Sequence, residues 1–259
     1  MNELRGVGIL VTRPRHQAMA LGRLFEGAGA RITSLPAIDI EAAGHPEEWK
    51  HRLGDLGAFD LIIFTSANAV HYGAPLLDPA RPAQLAAIGP ATARALASKG
   101  FRVASVPTGT YDSESLLSLP ALAQPNGRRV LIVKGLHGRP FLQDELARHG
   151  ARVVAAEVYK RVPMQHGLAV LDDVERRITG GHLHVLTATS VQIASCLVDM
   201  APPPLRQAFD RIRWLVPSER VGFAVRSRGI TAPILHAATA ADQDLVAAVI
   251  RWRSSESGA

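Results

Sequence analysis

Several turns in this 259-residue sequence combine residue types that bind or protonate an oxyanion. Ser66 follows the apolar run Leu61-Ile62-Ile63-Phe64 and is placed to cap a helix beginning near Ala67. Thr92 falls in the first turn after Gly89-Pro90, where proline suits an early helix position and glycine permits close approach of a ligand. Lys134-Gly135-Leu136-His137-Gly138-Arg139 is a flexible turn after a third run, with basic side chains at Lys134 and Arg139. Backbone N–H groups at such strand-to-helix turns are ready anion sites. Each is equally an ordinary cap or connecting turn, and residue types alone leave both readings open. Tyr159 offers different chemistry, because a phenol keeps its proton at neutral pH and can donate it to a leaving group. The competing reading for Tyr159 is an aromatic packed at a hinge. Tyr72 and Tyr111 have less reason to be catalytic, although Tyr111, in the turn Gly109-Thr110-Tyr111-Asp112-Ser113, could edge a cleft.

Other chemistries fail on spacing. His182-Leu183-His184 puts two imidazoles on one face of a strand without a third ligand, so no metal site is expected. Gly6-Val7-Gly8 precedes its strand instead of following it, against a dinucleotide fingerprint, and no Gly-x-Ser-x-Gly elbow occurs. One cysteine, Cys196, excludes an internal disulfide and fits a reducing, cytoplasmic setting. The 29 basic residues exceed the 23 acidic ones by 6, and only Lys50, Lys99, Lys134 and Lys160 are lysines. An arginine-rich balance suits a carboxylate or phosphate partner. The basic residues are scattered; even Arg206, Arg211, Arg213, Arg220, Arg226 and Arg228 spread over helix, strand and helix, so nucleic acid is not expected. No apolar run is long enough to cross a membrane, and the first residues lack a leader pattern.

The elements that must carry these residues alternate. Val7–Val11, Leu61–Phe64, Val130–Val133, His184–Thr187 and Trp214–Val216 are strand-like, and amphipathic helical stretches follow them. Repeated βα units imply parallel sheets flanked by helices. The chain also resembles itself. Val11-Thr12-Arg13 parallels Val133-Lys134-Gly135, Thr65-Ser66 parallels Thr189-Ser190, and Ile88-Gly89-Pro90 parallels Leu215-Val216-Pro217. On that last alignment Glu219 takes the place of Thr92, which assigns a weaker binding contribution to the second copy. Pro36–Glu41 and Val158–Pro163 fall outside the rhythm and are extended in pattern. The expectation is an α/β chain with two similar domains, each a parallel sheet flanked by helices: residues 1–36 with 163–259, and residues 42–157. Segments 37–41 and 158–162 join them as a two-stranded β-ladder hinge.

Leu-Val-Thr-Arg-Pro at Leu10 to Pro14, Phe-Thr-Ser-Ala-Asn-Ala-Val at Phe64 to Val70, Ile-Gly-Pro-Ala-Thr-Ala at Ile88 to Ala93, and Glu-Val-Tyr at Glu157 to Tyr159 resemble the uroporphyrinogen-III synthase family. The resemblance spans nearly the whole chain. It implies two α/β domains joined by a β-ladder, with hydroxymethylbilane in the cleft between them. It also implies closure of this linear tetrapyrrole, with inversion of its D ring and without a cofactor. Tyr159 is then the expected proton donor, and Arg13, Ser66, Thr92, Lys134, Gly135, Arg139 and Ser190 the expected substrate-binding residues. A monomer is expected, with hand-over of substrate from the preceding pathway enzyme and no nucleic-acid or membrane partner. Two rivals remain at this point: a non-catalytic anion-binding or regulatory protein on the same fold, and a transferase using a nucleotide donor, which would need a more definite phosphate loop.

Overall fold

Short β-branched and aliphatic runs become strands in the computed structural model, which describes residues 2–78 and 83–257. The described strands are β1 (Gly8–Val11), β2 (Arg31–Ser34), β3 (Ile38–Ala42), β4 (Leu61–Phe64), β5 (Gln84–Ala87), β6 (Arg129–Gly135), β7 (Arg152–Pro163), β8 (Val185–Thr187), β9 (Arg213–Val216) and β10 (Ile234–His236). They form two sheets, ordered β10-β9-β8-β1-β2 and β3-β7-β6-β4-β5. The chain divides into two compact units, one of residues 1–39 with 162–259 and the other of residues 40–161.

In each unit the central strands are apolar on both faces, as parallel strands covered by helices must be. In the first unit Leu10, Leu186 and Trp214 enter one core cluster, while Ile9, Val11, Val185 and Leu215 enter another across the sheet. In the second, Ile62, Phe64, Leu131 and Val133 face one cluster, and Leu61, Ile63, Val130 and Ile132 the other. The alternation is the two-residue side-chain period of a strand.

Backbone register aligns the two units independently of side-chain identity. Ile9 of β1 pairs in parallel with Val185 of β8, and Val130 of β6 with Leu61 of β4. Arg31 pairs with Gly8 just as Arg152 pairs with Arg129. Arg13 therefore corresponds to Lys134, one position away from the motif alignment. On the other side, Val185 pairs with Arg213 and Leu61 with Gln84. This makes Gly89 and Ser218 equivalent, and both are extended helix N-caps, with φ/ψ of −172°/175° and −166°/156°. Thr92 then corresponds to Val221, and Glu219 to Pro90. The expectation that Glu219 replaces Thr92 is thereby corrected. Pro90 is the first residue of its helix, whereas Pro217 precedes a cap, so matching the two prolines shifts the alignment.

A bond from Ala43 N–H to the Val158 carbonyl, at 3.0 Å, and one from Met164 N–H to the Ala37 carbonyl, also 3.0 Å, give β3 and β7 an antiparallel register. The sheet thus mixes one antiparallel pair with parallel ones.

The start of β1 is held from the side. Gly8 N–H donates to Nδ1 of His184 at 2.9 Å, and a Cβ on Gly8 would collide with the His182 carbonyl. Burial, followed by the nearby charges of Arg31 and Arg253, pushes the His184 pKa below its ordinary 6.5. Protonation of Nδ1 would also remove the acceptor for Gly8. Because the folded chain takes up this proton less readily than the unfolded one, the contribution is fully present above about pH 6.5 and is lost as pH falls through the lower folded value. Denaturant midpoints measured between about pH 5 and pH 8 should fall on the acid side. His184→Gln should flatten that part of the curve; an unchanged slope would remove His184 as its source.

Candidate functional site

Open parallel sheets bind ligands beyond the carboxyl ends of their strands, where the strand order reverses. In the second unit the chain moves outward from β4 to β5 and, in the other direction, from β6 to β7. The reversal lies between β4 and β6, whose ends lead into Thr65-Ser66 and Lys134-Gly135. A cavity of about 200 Å³ opens there, lined by Ser66, Lys134, Gly135, Arg139, Tyr159 and Arg161 among others. A larger cavity of about 640 Å³, with Lys50, Gly54, Asp55, Leu77 and Arg102 in its wall, lies toward the opening turns of β4 and β5.

Tyr159 reaches the cavity because β7 is irregular. Lys134 pairs with Glu157 and Gly135 with Tyr159, so the register shifts by one residue across Val158. Val158 and Tyr159 consequently enter the same core cluster, although neighbours on a regular strand would point to opposite faces. The Tyr159 ring is 2% exposed and fills the space left by the missing side chain of Gly135, where a Cβ would lie 2.5 Å from the ring Cζ. Tyr72 stacks beside it, with centroids 6.1 Å apart, and is held by its own hydroxyl, which donates to the Ile40 carbonyl at 2.6 Å.

Hydrogen positions at the hydroxyl pair follow from counting donors. Ser66 is the N-cap of helix Ala67–Gly73, and its Oγ accepts from Ala69 N–H at 3.0 Å. The same Oγ lies 3.1 Å from Oη of Tyr159, which in turn accepts from Nη2 of Arg161 at 3.1 Å. Guanidinium has donors only. The two hydroxyls thus hold two protons, and their mutual bond uses one. The other is available to a ligand.

Lys134 is 7% exposed, donates to the Gly138 carbonyl at 3.1 Å and lies 3.8 Å from a carboxylate oxygen of Glu157. Its bond ties down the turn that leads to Arg139. Arg139 is exposed, pairs with Glu114 at 3.0 Å and lies over the Phe141 ring. Thr92 does not line this cavity; it is 3% exposed in the first turn of helix Pro90–Ala97, after the outer strand β5. Tyr111 is exposed and packs against Gly89 at the start of that helix.

In the first unit the order reverses between β1 and β8, and Arg13 and Ser190 lie there. Ser190 caps helix Val191–Met200 by accepting from Ile193 N–H at 3.2 Å, the counterpart of Ser66. Arg13 is 8% exposed, donates through Nε to Thr189 at 3.1 Å, and is bonded to Asp242 and the Ala240 carbonyl. Most of its donor capacity is used within its own unit. Arg161 was not singled out from the sequence. The available signal was its position two residues after Tyr159, which puts both side chains on one strand face.

The family model described as uroporphyrinogen-III synthase HemD matches residues 19–247. The chain belongs to the uroporphyrinogen-III synthase family. Uroporphyrinogen-III synthase from Salmonella typhimurium is 32% identical over 231 residues, covering 86% of this chain and 92% of the relative. The Escherichia coli enzyme of the same name is 29% identical over 230 residues, with the same coverage of 86% and 92%. Two solved structures share the fold. Uroporphyrinogen-III synthetase from Helicobacter pylori has a TM-score of 0.62 at 15% identity, covering 95% of this chain and 99% of that one. A mutant uroporphyrinogen III synthase from Thermus thermophilus has a TM-score of 0.60 at 22% identity, covering 98% and 100%. Members of the uroporphyrinogen-III synthase family are cyclising lyases of heme biosynthesis.

The contact between Gly135 and Tyr159 is directly testable. Gly135→Ala should cost about 1–3 kcal/mol in urea unfolding, as overpacking of a filled core does. In a Tyr159→Ala background the same change should cost much less, because the colliding ring is gone. Equal costs in both backgrounds would show that the ring does not set the need for glycine.

Proposed function

We propose that this chain closes hydroxymethylbilane to uroporphyrinogen III, and that Tyr159 supplies the proton to the hydroxyl departing from the A-ring methylene. The observation that carries the reading is the Tyr159–Ser66 pair beside Lys134 and Arg139: one free hydroxyl proton next to cations, at the strand ends where α/β sheets bind ligands. The bilane carries carboxylates on every ring and closes unaided to the wrong isomer, so an enzyme must hold a flexible polyanion in one folded shape. Proximity and fixed electrostatics supply most of what that requires.

Each group has a task in this reading. Protonation by the phenol lets the hydroxyl leave as water, and the electron-rich pyrrole takes up the positive charge as an azafulvene cation. Lys134 and Arg139 belong on the carboxylates, whose charge is complementary to theirs. Ser66 and Ser190 present helix N-termini with their N–H groups, and Thr92 sits in a third. Gly135 admits the phenol, and Arg13 organises the strand end beside Ser190. A cavity of about 200 Å³ is smaller than the roughly 300–1,000 Å³ usual for drug-sized ligands, so it suits part of the tetrapyrrole. The segments 37–41 and 158–162 serve as hinge strands in this reading; the support is that the chain passes between its two units only there.

Purified protein incubated with freshly made hydroxymethylbilane should give the type III product in excess over type I. Type I alone, at the rate of the protein-free control, would end the proposal. Tyr159→Phe keeps the ring and removes the hydroxyl. It should remain folded, losing at most about 1–3 kcal/mol, while turnover falls by about 10²–10⁴-fold with KM little changed. A folded variant with wild-type turnover and type III fraction would take Tyr159 out of the mechanism.

A further inference from the structure

Arg161 has no task in the account above, yet it touches the proton donor. Its Nη2 donates to Oη of Tyr159 at 3.1 Å, and its guanidinium carbon lies 5.3 Å from the centroid of the same ring. The other cations near it are paired with acids: Lys134 with Glu157, Arg139 with Glu114, and Lys160 with Glu41. Arg161 is exposed, lines the cavity, and has no carboxylate partner among the described residues.

We propose that Arg161 is a positioning residue that sets the direction of the Tyr159 O–H bond. The inference rests on the cyclisation proposed above. A neutral donor such as an amide or a hydroxyl could turn and accept from the phenol, pulling its proton away from the ligand. Guanidinium cannot do so, because it has no acceptor and keeps its charge at any physiological pH. Oη is therefore held as an acceptor toward Arg161, and its hydrogen points to Ser66 or to the substrate. Ser66 cannot turn away either, because Ala69 N–H occupies one side of its Oγ. Arg161 and Ala69 hold the hydroxyl pair from its two ends, and the remaining proton is confined to the cavity.

Among the described residues Arg161 also lacks a carboxylate counter-charge, so the arrangement does not require a protein carboxylate to move before substrate arrives. The Arg161 contribution belongs to the chemical step, since it changes the orientation of a donor already present in the free protein. A guanidinium acting only as a carboxylate ligand would behave differently and would appear in substrate affinity.

The test compares Arg161→Met, which removes the donor, with Arg161→Lys, which keeps a cation that can donate but not accept. Circular dichroism checks that both are folded, as expected for an exposed position. Arg161→Met should lower kcat by about 10- to 100-fold, the scale of a misplaced catalytic group, with KM little changed. Arg161→Lys should recover a substantial part of that loss. The Raman tyrosine doublet, assigned to Tyr159 by difference from Tyr159→Phe, should shift from an accepting toward a donor-only phenol in Arg161→Met and remain near wild type in Arg161→Lys. A change confined to KM, equal activity of the Met and Lys variants, or an unaltered doublet in Arg161→Met would each overturn the proposal. Should the wild-type protein give only type I product, the cyclisation reading falls, while the Raman comparison still decides whether Arg161 orients the phenol.

Discussion

The approach of a tyrosine ring to a backbone with no side chain governs the second unit. Tyr159 lies over Gly135, and the closeness of a virtual Cβ to the ring means that the two positions define each other. The register shift across Val158 is the means by which β7 turns the ring inward. Without the shift, Tyr159 would leave the core cluster that Val158 occupies. Bulges beside functional sites commonly redirect one side chain in this way. Here the redirected group is a phenol whose hydroxyl meets Ser66 at 3.1 Å.

The internal duplication explains why these positions exist in pairs and why the pairs differ. Register makes Arg13 the equivalent of Lys134, so each unit carries a nearly buried cation at the point where its strand order reverses. Each cation also has an acid, Asp242 or Glu157. The neighbouring serines cap equivalent helices through the same bond to the third helical N–H. What differs is the occupancy of the crevice. Arg13 spreads its donors over Thr189, Asp242 and the Ala240 carbonyl, whereas Lys134 reaches one carbonyl and leaves room for a tyrosine. The same architecture thus supplies a braced crevice in one unit and an open one in the other.

Much of this was legible in the residue order. The βα alternation, the family motifs, and the paired Thr-Ser turns all identify local chemistry, because strand burial and helix capping depend on nearby residues. Alignment of the halves was less accurate. Matching Val11 with Val133 and Pro90 with Pro217 relied on residue type, whereas equivalence is set by hydrogen bonds between strands distant in sequence. The burial of Thr92 and the pairing of Arg13 with Asp242 depend on packing across such distances too. Arg161 was passed over for another reason: it lies among many arginines, and only the geometry of its bond to Tyr159 distinguishes it.

Ser66 joins two otherwise separate requirements. It terminates helix Ala67–Gly73, and its oxygen also fixes the neighbour of the phenol. A seven-residue helix has little stability of its own and owes its persistence to packing. Helix ends are also where native proteins open first, at a cost well below that of global unfolding. Fraying of this first turn would release Oγ from Ala69 and let the serine rotate, although the sheet beneath it stayed intact. The alignment of the two hydroxyls is accordingly inherited from the local opening equilibrium of one helical turn, and can be no more persistent than that turn.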